Sequence, residues 1–239
     1  MGEYTVREEG GIAVLQMDDG KANALTLAEF NSLGAALEKI RKSPAAAVVL
    51  TGRAGYFTAG LNLKVMPTLS PRELAAMIER FGEVSTDLFT FEKPIVAAVS
   101  GHALGAGAIF AFASDVRLFA EGPFKFGLNE VPAGLFVPTF GVELARAAVP
   151  VEHQTELILH GRVISPTEAK QMRIAESLHA PEQLFAAAMA RAQQLAELGG
   201  DGYAATKRNL RGVAARHVRD RILIEVEQLG RALGSGKKS

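Results

Sequence analysis

Cysteine is absent from the 239 residues. That removes disulfides, thiolate nucleophiles and cysteine-ligated metals together. It suits a reducing compartment, and a cytoplasmic protein is expected. Net charge is absent too, since 26 Lys plus Arg balance 26 Asp plus Glu. No general electrostatic pull toward nucleic acid or an anionic membrane follows, and only a local basic patch would restore one. The opening MGEYTVREEGGIAVLQ lacks a basic region leading into an apolar run, so no secretory signal is expected. Gly2 heads no myristoylation pattern, because Val6 stands where Ser or Thr is required. No repeat at a solenoid period stands out. His153, His160, His179 and His217 show no i,i+4 spacing, so no metal is expected.

What is present is the balance of a folded chain, with 48% hydrophobic and 22% charged residues. The length fits one large domain, or one domain with a small appendage. Ile12–Met17 alternates apolar and polar residues and predicts a strand. Thr26 caps a helix whose apolar face is Leu27, Phe30, Leu33, Leu37 and Ile40. AAAVVLTG and Lys93–Ser100 read as buried strands. Ser70-Pro71-Arg72-Glu73 predicts a capping box opening a long helix. Gly105–Ser114 reads as a buried helix and Val116–Ala120 as a strand. Helices are expected at Glu143–Ala148, Glu152–His160, Thr167–Arg173, Pro181–Gly199, Gly202–Ala215 and Val218–Leu233. The GSGKKS tail is expected to be unstructured. The chain is therefore α/β first and helical last, which predicts crossover connections and a largely parallel sheet covered on both faces.

Between Lys93 and Asp115 no side chain is charged. That stretch has about the 20 residues a membrane span needs. Ser100-Gly101-His102 interrupts it, so a strand-to-helix change is expected instead. Two segments share a design: YFTAGLNL and AAVSGHALGAG each run from a strand into small residues. Each would leave backbone N–H groups without partners at the following turn or helix. For either segment alone, close packing of helix on sheet is the favoured explanation, since Gly-rich turns are common. The second is neither a dinucleotide fingerprint nor a nucleophile elbow.

Taken together, the two segments resemble the signature regions of the crotonase (enoyl-CoA hydratase/isomerase) superfamily. IAVLQMDDGKANALT, with its Asn23-Ala24-Leu25 turn, extends the resemblance toward the N-terminus. FKFGLNEVPAGLFVP and SPTEAKQMRI extend it the other way. The resemblance implies a ββα spiral core over residues 1–180, holding an acyl-CoA site, and a helical oligomerisation region over 181–239. It implies that the N–H groups of Leu61 and Ala106 hold the thioester oxygen as it becomes an enolate, each such donor supplying about 2.7–4 kcal/mol of barrier. Ala22, Ala24, Ala59 and Leu63 would touch coenzyme A through main chain. Lys64 would sit near its phosphates, or simply be solvated. Coenzyme A enters as part of the substrate, with no separate cofactor.

Hydratases of this superfamily are understood to use two glutamates. Ile109 occupies the position of the first, and Glu130 that of the second. FGLNEVPAGLFVP is most similar to the single-glutamate Δ3,Δ2-enoyl-CoA isomerases of fatty acid metabolism, which implies Glu130 as a base moving a proton from C2 to C4. Without the resemblance Glu130 reads as a surface carboxylate or a turn cap. Ile109, Phe136 and Phe140 are expected to form an apolar surround for it. Glu143 is a candidate second carboxylate, His102 a turn-packing residue, and Asp115 a local hydrogen-bonding residue at a helix-to-strand turn. Hydration, other enolate chemistry on a CoA thioester, and non-catalytic acyl-CoA binding remain open alternatives. RNA binding, which some members show, is disfavoured by the zero net charge. The resemblance also implies a homotrimer or a dimer of trimers.

Overall fold

The computed structural model describes residues 3–198 and 200–235. A six-stranded sheet runs in the order β1 (Glu3–Glu9), β2 (Ile12–Asp18), β3 (Ala47–Thr51), β5 (Ile95–Val99), β7 (Val116–Ala120), β9 (Ser177–His179). Only its β1–β2 pairing is antiparallel. A second, three-stranded sheet is wholly parallel: β4 (Gly55–Thr58), β6 (Gly101–Leu104), β8 (Phe126–Gly127). After α1 (Leu27–Lys42) the chain gives one strand to each sheet and then a helix, three times. The helices that close these turns are α2 (Pro71–Thr90), α3 (Ala106–Ala113) and α4 (Thr139–Ala148). This is the ββα spiral, and the chain is an α/β protein of crotonase-like fold.

Both faces of the large sheet are covered, which is why its strands read as unbroken apolar runs. Val14, Val49, Val96 and Leu118 pack with Leu184, Ala188 and Ala192 of α7 (Pro181–Ala196). Their neighbours Leu15, Leu50, Ala97 and Phe119 face the main core with α1, α2 and α3. Thr26 and Glu29 close the capping box on α1, and Ser70 and Glu73 the one on α2. A further box, Ser165 with Glu168, starts α6 (Pro166–Gln171).

The two C-terminal helices expected at 202–215 and 218–233 are one helix, α8 (Asp201–Ser235). Arg216 and His217 between them break no helical hydrogen bond, so the join continues. Gly234 and Ser235 of the tail expected to be unstructured belong to α8, and the rest of it lies outside the described residues, as does Gly199. Helix α5 (Val151–Gln154) passes into a wider π turn at Thr155–Leu159. Asp115 is not confined to its own turn. It accepts from the Ile95 N–H at 2.7 Å and pairs with Lys207 Nζ at 2.7 Å and Arg211 Nη2 at 3.1 Å. A buried carboxylate needs compensating charge, and α8 brings both cations to the sheet end. No described helix is long and apolar enough to cross a membrane.

Candidate active site

The three strands of the small sheet are parallel, so their carboxyl ends open on one side. Open α/β sheets place ligands at such ends. Leu61 follows β4, Ala106 follows β6, and Glu130 follows β8. All three line one cavity of about 90 Å3.

Backbone geometry at two glycines brings the first two together. Gly60 has φ +87, and a β-carbon there would lie 2.7 Å from the Leu104 carbonyl oxygen and 3.6 Å from the Ala106 nitrogen. The turn before Leu61 therefore touches the turn before Ala106, and only glycine permits it. Gly105, at φ +53 and ψ −113, starts α3 without a side-chain cap. A β-carbon on it would sit 3.2 Å from Glu130 Oε1, so the carboxylate lies against the backbone just ahead of Ala106. The Ala106 N–H opens α3 and has no intrahelical partner. Neither it nor the Leu61 N–H donates to another described residue.

The Asn23-Ala24-Leu25 turn braces this arrangement. The Leu25 N–H donates to the Gly60 carbonyl, and the Asn62 N–H to the Leu25 carbonyl, both at 2.9 Å. Asn23, at φ +52, is buried and donates through Nδ2 to the carbonyls of Met17 and Phe57. The Thr58 hydroxyl donates to the Asn23 carbonyl at 2.6 Å. With both flanking groups committed to Leu25, the Leu61 N–H is left aimed elsewhere.

Glu130 is the only charged side chain among the described residues lining this inner cavity. Its Oε2 is buried with no hydrogen-bond partner. Burial pushes the carboxyl above its ordinary value, with the backbone amides of Glu130 and Asn129 partly opposing that rise. The apolar wall is made of Leu61, Met66, Phe81, Leu104 and Leu135, not of the three residues expected from sequence. Ile109 is fully buried behind the site, 3.0 Å from where a Gly141 β-carbon would be. Phe140 is buried against Phe81, and Phe136 is half exposed outside the cavity. Glu143 is no second carboxylate here. It pairs with Arg146 and His217 and does not line the cavity. His102 packs between Tyr56 and Phe124 and accepts from the Lys125 N–H.

An outer cavity of about 610 Å3 adjoins the inner one through Ala59, Leu61 and Leu63. Ala22, Ala24, Ala59, Leu63 and Lys64 all line it. The Ala59 N–H is spent on the Ala22 carbonyl at 3.0 Å, so Ala59 offers a ligand its carbonyl alone. Lys64 is exposed. Lys21, which no sequence argument singled out, brings a second cation to this cavity. Asn129, also missed, adds the polar neighbour of Glu130 in the inner one. Both sit inside the segments that carry the resemblance, DGKANALT and FGLNEVP, but neither has a spacing that marks it.

A family model described as Enoyl-CoA hydratase/isomerase matches residues 7–232. The chain belongs to that family. A Mycobacterium tuberculosis protein named probable enoyl-CoA hydratase EchA17 is 32% identical over 238 residues, covering 97% of this chain and 90% of the relative. Among solved structures, human mitochondrial delta3-delta2-enoyl-CoA isomerase is 25% identical with a TM-score of 0.92, covering 98% of this chain and 93% of that one. An M. tuberculosis enoyl-CoA isomerase solved in its apo form is 27% identical with a TM-score of 0.87, covering 94% and 99%. This enoyl-CoA hydratase/isomerase family member thus has relatives bearing each name, and the family places it among enzymes acting on acyl-CoA.

Proposed function

We propose that this enzyme is a Δ3,Δ2-enoyl-CoA isomerase with Glu130 as its single base. The observation that carries the reading is a lone carboxylate, with an unpartnered buried oxygen, in an otherwise uncharged cavity beside two free amides. The acyl oxygen of a 3-enoyl-CoA sits against the N–H groups of Leu61 and Ala106. Glu130 takes a proton from C2, and the electron pair left behind delocalises into the thioester and the double bond. The carboxylic acid then returns the same proton to C4, leaving the double bond between C2 and C3. No atom enters from solvent, so the step needs one acid–base group and a dry surround. Coenzyme A lies in the outer cavity along Ala22, Ala24, Ala59 and Leu63, with Lys64 and Lys21 toward its phosphates. The same reading carries a cytoplasmic homotrimer or dimer of trimers. It is supported by the apolar side chains Leu210, Val213, Leu223 and Ile224 that α8 leaves exposed.

Hydration is the second reading, favoured by the names of the curated relatives and by Asn129, a polar neighbour of Glu130 able to hydrogen-bond a water. Adding water across a double bond calls for a group that activates it besides the one that protonates carbon, and Ile109 supplies none. Incubation with 3-hexenoyl-CoA and 2-hexenoyl-CoA separates the two. Double-bond migration without 3-hydroxyacyl-CoA is expected; hydration outpacing migration overturns the isomerase. Glu130→Gln is expected to lower turnover by more than about a hundredfold, and a loss below about tenfold removes Glu130 as the base.

A further inference from the structure

Phe81 is the one inner-cavity residue contributed by α2. It does not line the outer cavity, where the proposed function places the coenzyme. Its ring is stacked on Phe30 of α1 at 4.7 Å and 8°. It meets Phe110 of α3 edge-on at 5.8 Å and Phe140 of α4 at 4.7 Å. All three partners are buried at 1% exposure or less. Four helices thus lock one ring, and the adjacent Gly82 has Ile222 and Phe140 crowded against it. A side chain held in this way has no second rotamer to retreat into.

From this we infer that Phe81 is a fixed floor that restricts the enzyme to short acyl chains. The inference rests on the acyl-CoA reading of the site. The inner cavity is small, about 90 Å3 against about 610 Å3 for the outer one, and its wall at Phe81 cannot retreat to enlarge it. A longer tail meets Phe81 and must fold back over Leu135 into solvent. A tunnel without a floor would behave in the opposite way, gaining about fourfold in affinity for each methylene buried.

Titration calorimetry of the full chain with saturated butyryl-, hexanoyl- and decanoyl-CoA tests the floor without relying on turnover. Decanoyl-CoA is expected to bind at least tenfold more weakly than hexanoyl-CoA. Phe81→Leu, and Phe81→Ala if it folds, should narrow or reverse that ratio. Decanoyl-CoA binding as tightly as hexanoyl-CoA to the unaltered chain overturns the inference, as does failure of all three to bind. The same chain-length series with 3-enoyl-CoA substrates keeps the two readings apart. Turnover that does not discriminate sinks the floor and leaves the isomerase. A sharp binding cutoff without double-bond migration sinks the isomerase and leaves the floor.

Discussion

Replacing Ala106 by proline would test the amide pair almost in isolation. Ala106 is the first residue of α3, the helical position that proline tolerates best, because the N–H it lacks is one the helix does not use. The Ala106 N–H has no partner among the described residues, so no protein hydrogen bond is lost. The residue before a proline is usually restricted by a clash with its β-carbon. Here it is glycine at φ +53 and ψ −113, the mirror image of an extended conformation. Folding stability should therefore change by no more than about 1 kcal/mol, against about 3 kcal/mol for proline inside a helix. Catalysis should change far more. Losing one oxyanion donor costs about 2.7–4 kcal/mol, a hundred- to thousandfold in kcat, and the ring carbon that replaces the hydrogen also intrudes where the acyl oxygen sits, raising KM. Ala106→Gly keeps the N–H and serves as the control, with kcat within about tenfold of the parent. Urea denaturation reads the first quantity and enoyl-CoA isomerisation the second. A proline variant with kcat within about tenfold of the parent refutes the role of Ala106. A stability loss of about 3 kcal/mol or more refutes the claim that its amide is free.

Other consequences follow from burial. Because burial lifts the Glu130 carboxyl above 4.5, and only the carboxylate can accept a proton, kcat/KM should fall on the acid side at a pH above that value. An acid limb at or below 4.5 contradicts the buried base. The same rise has a sign for stability. A group whose folded pKa exceeds its unfolded one stabilises below the unfolded value, and that contribution is lost as pH rises through the folded value. Glu130→Gln should therefore melt near the parent at about pH 4 and above it at about pH 7, as scanning calorimetry would show; equal shifts at both pH values contradict this. Asp115→Ala strands the Lys207 and Arg211 cations in a buried site, and should cost about 3–5 kcal/mol in urea unfolding. A loss under about 1 kcal/mol would place the cluster in bulk solvent.

Much of the fold was legible because both faces of the large sheet are covered. Residues 47–51 and 95–99 are wholly buried, so their apolar runs announce strands without any partner being known. The capping boxes at Thr26 and Ser70 were legible for a different reason, since the signal lies within four residues. The small sheet was not legible. Strand β6 is Gly-His-Ala-Leu and β8 has two residues, too short for any period to show. The three ββα units were hidden as a repeat because their spacing differs: the large-sheet strands start at Ala47, Ile95 and Val116. At the site, Leu61, Ala106 and Glu130 were placed by resemblance, and the structure brings them to one cavity. The wall was misplaced. Phe136 and Phe140 are close to Glu130 in sequence, but Phe81 and Met66 arrive from a different ββα unit, and nothing local predicts that meeting. Asp115 was read too locally for the same reason, its partners lying on the last helix.

The division of labour between backbone and side chain explains how one fold accommodates different acyl-CoA reactions. The amide pair depends on Gly60, Gly105 and the Leu25 brace, none of which supplies a reactive side chain. The site can therefore keep its hold on a developing enolate while its acids and bases are exchanged. In the proposed isomerase the exchange has gone one way. At the position where the resemblance implies a second acid, Ile109 packs tightly against Gly141 of α4 and does not line the chamber. On the proposed isomerase reading, Glu130, the one charged side chain among the described residues lining the inner cavity, has no competitor there for the proton it removes. Burial also favours its protonated form, which is the state in which it must wait between C2 and C4. The environment that makes Glu130 costly to ionise is thus the environment a proton shuttle requires.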